Sequence, residues 1–68
     1  MRPVDVIAKA NERGFVLVMG EDEEVPARIS GSRLAFPMVH SECGRYSCEI
    51  SWHLAERLAR GESARVVY

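Results

Sequence analysis

Two histidines and two cysteines stand in one short stretch, HSECGRYSCEISWH, in the order His40, Cys43, Cys48 and His53, with two, four and four residues between them. Thiolates and imidazole nitrogens are the donors that zinc takes into a tetrahedral shell, and one such site can supply much of the folding free energy of a small domain. His40 and Cys43 would bring two ligands from a turn, and Cys48 and His53 two more from a strand end and a first helical turn. The competing reading packs Cys48 as a small hydrophobe, leaves Cys43 in a loop, and keeps both histidines near the surface or the helix start.

The spacing resembles that of a zinc knuckle, whose ligand order is Cys, Cys, His, Cys. The order here differs, and the basic and aromatic surface of a nucleic-acid binder is missing, so no family follows from it. Two other chemistries use the same residues. A disulfide between Cys43 and Cys48 needs the chain to turn back at Gly44, and both the short loop and a reducing compartment oppose it. Cys43 beside His40 would pair a nucleophile with a base, but so short a chain has little material for a substrate pocket and an oxyanion-stabilising shell. No catalytic residue is assigned and the chain is read as non-enzymatic. No cofactor is expected beyond the candidate zinc.

Other candidate residues suit contact rather than catalysis. Glu21, Asp22, Glu23 and Glu24 form an acidic run that reads first as a solvated hairpin turn and second as a surface for a basic partner. It lacks the alternating ligands and terminal glutamate of a calcium loop. Trp52 has the large amphipathic ring that anchors interfaces, and Arg45, Arg57 and Arg60 are candidates for its polar surround. There is no phosphate-binding glycine loop and no metalloprotease motif.

Sixty-eight residues make a single domain, 1–68. A chain of this size buries only about 60% of the surface its unfolded form exposes, so most apolar residues must join one core. Hydrophobic residues make up 47% and charged residues 28%, a globular balance that argues against disorder. Nine basic and ten acidic side chains leave a formal charge of -1, a poor footprint for a phosphate backbone even with Arg57, Arg60 and Arg65 close in sequence. The longest apolar run, FVLVM, is far too short for a bilayer span, and no secretion signal is visible. Two cysteines do not make a secreted disulfide framework, so the expected setting is cytoplasmic with reduced thiols.

The elements that must position these residues follow from punctuation and periodicity. Pro3 opens a helix in PVDVIAKANERG, with Val4, Ile7, Ala8 and Asn11 on one face, an Asp5–Lys9 pair outside and Gly14 at the C-cap. FVLVM is apolar on both faces, as an interior strand is. Beyond the acidic turn, VPARIS alternates with Val25, Ala27 and Ile29 inward, and Pro26 predicts an exposed edge or bulge near its start. SGS reads as a turn, RLAF as a short strand with Leu34 and Phe36 inward, and RYSCEI as a strand with Tyr46, Cys48 and Ile50 on one face. Ser51 caps a second helix, WHLAERLAR, with Leu54 and Leu58 inward, a Glu56–Arg60 pair outside and Gly61 as its stop. ARVVY closes as a strand with Ala64, Val66 and Tyr68 on a common face.

The expected fold is α+β: a small, mainly antiparallel sheet of three to five strands with two short helices on one face, in the order α-β-β-(β-β)-α-β. The expected function is a protein-interaction module, a small regulator or inhibitor acting on another protein or a second copy of itself. The alternative is a compact nucleic-acid-associated regulator with a structural zinc site.

Overall fold

The computed structural model describes residues 2–20, 22–31, 36–62 and 65–67. Its elements are α1 (Pro3–Arg13), β1 (Phe15–Met19), β2 (Glu23–Ser30), β3 (Met38–Ser41), β4 (Ser47–Glu49), α2 (Trp52–Arg60) and β5 (Arg65–Val67). One sheet runs β4-β3-β2-β1-β5. β1 to β4 form an antiparallel meander, and β5, delivered by α2 to the far side, lies parallel to β1. The α+β class and the element order agree with expectation, but the sheet is mixed rather than antiparallel throughout. A parallel pair cannot be closed by a tight turn, and the whole meander and α2 separate β1 from β5.

Side chains alternate across a strand, so pairing assigns each one a face. Phe15, Leu17, Ala27, Ile29, Val39 and Val66 fall on one face and form a buried cluster with Val6 and Ala10 of α1 and Ala55, Leu58 and Ala59 of α2. Both helices therefore cover the same side of the sheet. The small side chains of Ala10, Ala55 and Ala59 leave room for the helices to pack against each other.

α1 is rotated from the expected stripe. Val6 and Ala10 are buried and Ile7 and Asn11 partly so, whereas Ala8 is exposed and Val4 is 62% exposed. Two polar anchors account for this rotation. The Asn11 amide donates to the Ile29 carbonyl at 2.9 Å and accepts from the Ile29 N–H at 2.8 Å. At the helix end, Arg13 Nε donates to the Ala59 carbonyl at 2.7 Å, tying α1 to the last turn of α2. Asp5 pairs with Arg2 rather than Lys9, and Arg60 pairs with Glu62 rather than Glu56.

The acidic run is only partly a turn: Asp22 has a φ of +121°, but Glu23 and Glu24 already belong to β2. β2 is an interior strand, so the edge or bulge expected at Pro26 is not found: Pro26 pairs with Val16 of β1, and its carbonyl accepts from Glu42 N–H at 2.8 Å. Its missing N–H falls on the β3 side just beyond the last residue of that strand, Ser41, where the ladder ends. Phe36, expected inward, is 49% exposed, while the neighbouring Pro37 is buried. The rest of the expected RLAF strand, including Leu34, and Ser32 of the turn lie outside the described residues, as do Glu21, Ala64 and Tyr68.

α2 forms as its end signals require. Ser51 Oγ accepts from Leu54 N–H at 3.1 Å. At the other end Gly61, with φ +78°, donates to Leu58 O and Glu62 N–H donates to Arg57 O, the paired bonds that close a helix through a left-handed residue. Among the described residues, no helix is long and apolar enough to cross a membrane.

The Asn11 clamp is testable. Asn11→Ala leaves a part-buried N–H and carbonyl of Ile29 without partners, at a cost of about 1–3 kcal/mol in urea unfolding. Asn11→Asp keeps the acceptor but sets a carboxylate against the Ile29 carbonyl, and is expected to destabilise at neutral pH as well.

Candidate functional site

The sheet separates the four residues of the His/Cys stretch. Val39 pairs with Cys48 and His40 with Ser47. Paired residues share a face, so Cys48 joins Val39 on the helix-covered side and His40 points to the other. There His40 Nε2 lies 2.9 Å from Ser30 Oγ on the neighbouring strand. Cys43 sits exposed in the turn between β3 and β4, and His53 is exposed on the first turn of α2. Both cysteines are free thiols. Among the described residues, no three His, Cys, Asp or Glu side chains gather as a metal shell would need.

What organises this turn is Ser41, a residue that motif reading passes over. It ends β3, is buried, and its Oγ accepts from the main-chain N–H of both Arg45 and Tyr46 at 3.1 Å. A hydroxyl oxygen has two lone pairs, so both are occupied and its one proton remains to be donated. Cys43 Sγ, 3.2 Å away, receives it. That bond holds the Cys43 thiol below its ordinary value, helped by the Arg45 main-chain N–H. For Cys48 the balance is opposite: burial alone pushes its thiol up.

The proposed contact residues are dispersed. Trp52 is partly buried and packs against the core cluster. Arg45 and Arg57 are exposed, and Arg60 is paired with Glu62, whose carboxyl is held below its usual range chiefly by that hydrogen bond. Of the acidic residues, Asp22 and Glu23 are exposed, and Glu24 bridges across β1 to Arg65 at 2.8 Å. On that face Val18, flanked by Glu24 and Val67, is buried although no helix covers it.

A different feature brings apolar side chains together at the surface. The sheet curls enough that its two edge strands line one opening of about 400 Å³, walled by Cys48, Glu49 and Ile50 on one side and Val66 and Val67 on the other, with Leu54 of α2 between them. A smaller hollow beside Glu49 and Ile50 is lined by Phe36. Val67 is 80% exposed, the most open large apolar side chain among the described residues.

Each wall also has main-chain groups without a partner among the described residues. Ile50 N–H bonds Pro37 O, and Ser41 N–H bonds Tyr46 O, so residues 46, 48 and 50 turn their main-chain groups toward β3. Ser47 and Glu49 therefore turn theirs to the open edge. The bond from Glu42 to Pro26 fixes the other wall in the same way. It points the even residues of β2 at β3 and the odd ones at β1, which leaves Val16 and Val18 facing β5. Val66 lies between these two in register and takes their bonds, so Arg65 and Val67 turn theirs outward, where no described residue pairs with them. Sequence reasoning identified Ile50, Leu54 and Val66 only as core positions. Their joint role as a slot depends on where the two edges meet, for which no local signal exists.

Comparison with family models, with curated proteins and with solved structures finds no match to this chain. The functional reading therefore rests on the residues themselves.

The two thiols should separate in alkylation. The thiolate is the reactive form, so iodoacetamide labelling followed by peptide mapping is expected to find Cys43 reacting down to lower pH than Cys48. Ser41→Ala removes the donor and should move the Cys43 profile to higher pH. Slow labelling of Cys48 in the same sample reports that the fold is retained.

Proposed function

We propose that this chain is a non-enzymatic interaction module, a small regulator or inhibitor that works by contact, and that it contacts its partner at the slot between β4 and β5. One observation carries this reading: apolar side chains from both sheet edges and from α2 line a single opening whose walls also have main-chain groups unpaired among the described residues. An interior strand hides both kinds of group. Here they face water together, and Phe36 and Val67 extend the apolar surface beyond the rim. A contact surface of this type needs no ionised anchor, which fits a chain whose formal charge is only -1. The nucleic-acid alternative gains less support, because Arg60 and Arg65 already face carboxylates of Glu62 and Glu24.

Site-specific photo-crosslinking tests the location. A photoreactive side chain at Val67 is expected to yield a discrete adduct in the cell of origin, and one at Ala8 on the exposed side of α1 to yield none. The cross-linked protein, once purified, should bind the unmodified chain in titration and lose affinity at least tenfold to Val67→Asp. Equal adducts from both positions would sink the reading.

A further inference from the structure

We propose that the slot accepts an extended segment of another protein as an added β-strand, seated between β4 and β5. This inference rests on the slot being the contact surface and specifies what enters it. Three observations on the two walls select a strand over other occupants.

The first is main-chain complementarity. Ser47 and Glu49 on β4, and Arg65 and Val67 on β5, each turn an N–H and a carbonyl toward the opening, as the pairing registers require. None of these groups has a partner among the described residues. A helix arriving in the slot would satisfy none of them, because its own main chain is bonded internally. An extended chain satisfies them in alternation and can do so on both of its edges at once.

The second is the pattern of side chains around the opening. Cys48 and Val66 lie on the helix-covered face, and Ile50 and Leu54 continue that apolar floor, whereas Glu49 and Val67 lie on the outer face. A strand seated between them would turn every second side chain onto the apolar floor and the others to the outer face. The suitable ligand is a short segment of alternating apolar and polar residues. Its outer-face positions carry a base opposite Glu49 and an apolar group opposite Val67. Glu49 is exposed and makes no ion pair among the described residues, so a cation there meets an unneutralised carboxylate. Arg65, the charge on the opposite wall, is by contrast already neutralised by Glu24.

The third concerns a second copy of this chain as occupant. Every strand among the described residues is already in the sheet, so a copy could insert one of these only by taking it out of its own sheet. Pairing edge to edge would join strands of three residues, Ser47–Glu49 or Arg65–Val67. That contact is far smaller than the roughly 800 Å² per partner of a stable interface. The partner is therefore a different protein, recognised through its main chain and an alternating pattern.

The experiment uses the whole chain and a displayed library of random nonapeptides as the probe. Selected peptides are expected to alternate apolar and polar residues with a basic residue at a fixed place. On binding, the amides of Ser47, Glu49 and Val67 should become protected from hydrogen exchange, and N-methylation of alternate peptide amides should abolish binding. Val67→Pro removes one edge N–H that no internal bond uses, and Val67→Ala controls for the side chain. The proline variant should bind about two- to tenfold more weakly than the alanine variant, the worth of one hydrogen bond, with an unchanged far-UV spectrum.

Failure to select any peptide overturns the strand proposal, as does binding that leaves those amides unprotected or survives N-methylation. Protection that grows with the concentration of the chain alone, in a sedimenting dimer, overturns it in favour of a second copy. In each of these cases a partner cross-linked at Val67 would leave the contact reading standing while the strand mode falls. Loss of the Val67 adduct removes both.

Discussion

Leu17 lies fully buried on the middle of one sheet face, paired with Val25 on β2 and Val66 on β5, and both helices contribute to the cluster around it. The rest of the molecule depends on burying that single face. In a chain of 68 residues there is material for one such core and no second layer of helices. Each helix must therefore lie on the same side, and the sheet must bend around them to enclose Leu58, Ala55 and Ala59. Among the described residues no helix covers the outer face, and no strand pairs with the two sheet edges.

Polar bonds decide how the helices sit on that face. Hydrophobic burial is non-directional and would tolerate several rotations of α1. The Asn11 amide bonds to Ile29 as a neighbouring strand would, donating to its carbonyl and accepting from its N–H. Arg13 reaches the last turn of α2, where unpaired carbonyls and the negative end of the helix dipole favour a cation. These two residues select one rotation and so bring Val6 and Ala10 inward in place of Val4 and Ala8. Ser41 acts similarly on the β3–β4 turn, where one hydroxyl satisfies two main-chain donors and gives its own proton to a thiol. Small proteins have little apolar area to spend on specificity, and here side chains that bond to the main chain supply it.

The reach of the core also explains the candidate contact surface. A sheet that closed completely would have no edges, and a flat one would hold them far apart. This sheet stops between those limits, so β4 and β5 become opposite walls of one slot. Both edge strands are only three residues long, which limits unwanted pairing with other chains. Within that short span the slot still combines main-chain polarity with apolar side chains, the two components of strand addition.

Most elements were legible in the residues because their signals are local. Pro3, Ser51 and Gly61 mark helix ends by backbone chemistry that acts within one turn, and FVLVM declares an interior strand by its lack of a polar face. The α+β class, the order of elements and the burial of Ala27, Ile29 and Leu58 followed from those signals alone. What tertiary structure decided is everything that depends on distant partners: the rotation of α1, the parallel placement of β5, the exposure of Phe36 and the meeting of the two edges. The His/Cys stretch shows the same division. Its spacing along the chain is compatible with a shared site, but a pleated strand sends His40 and Cys48 to opposite faces, and only the strand register says which face each one takes. Local propensity acts over a few residues, whereas register and curvature are set by packing between segments far apart in the chain.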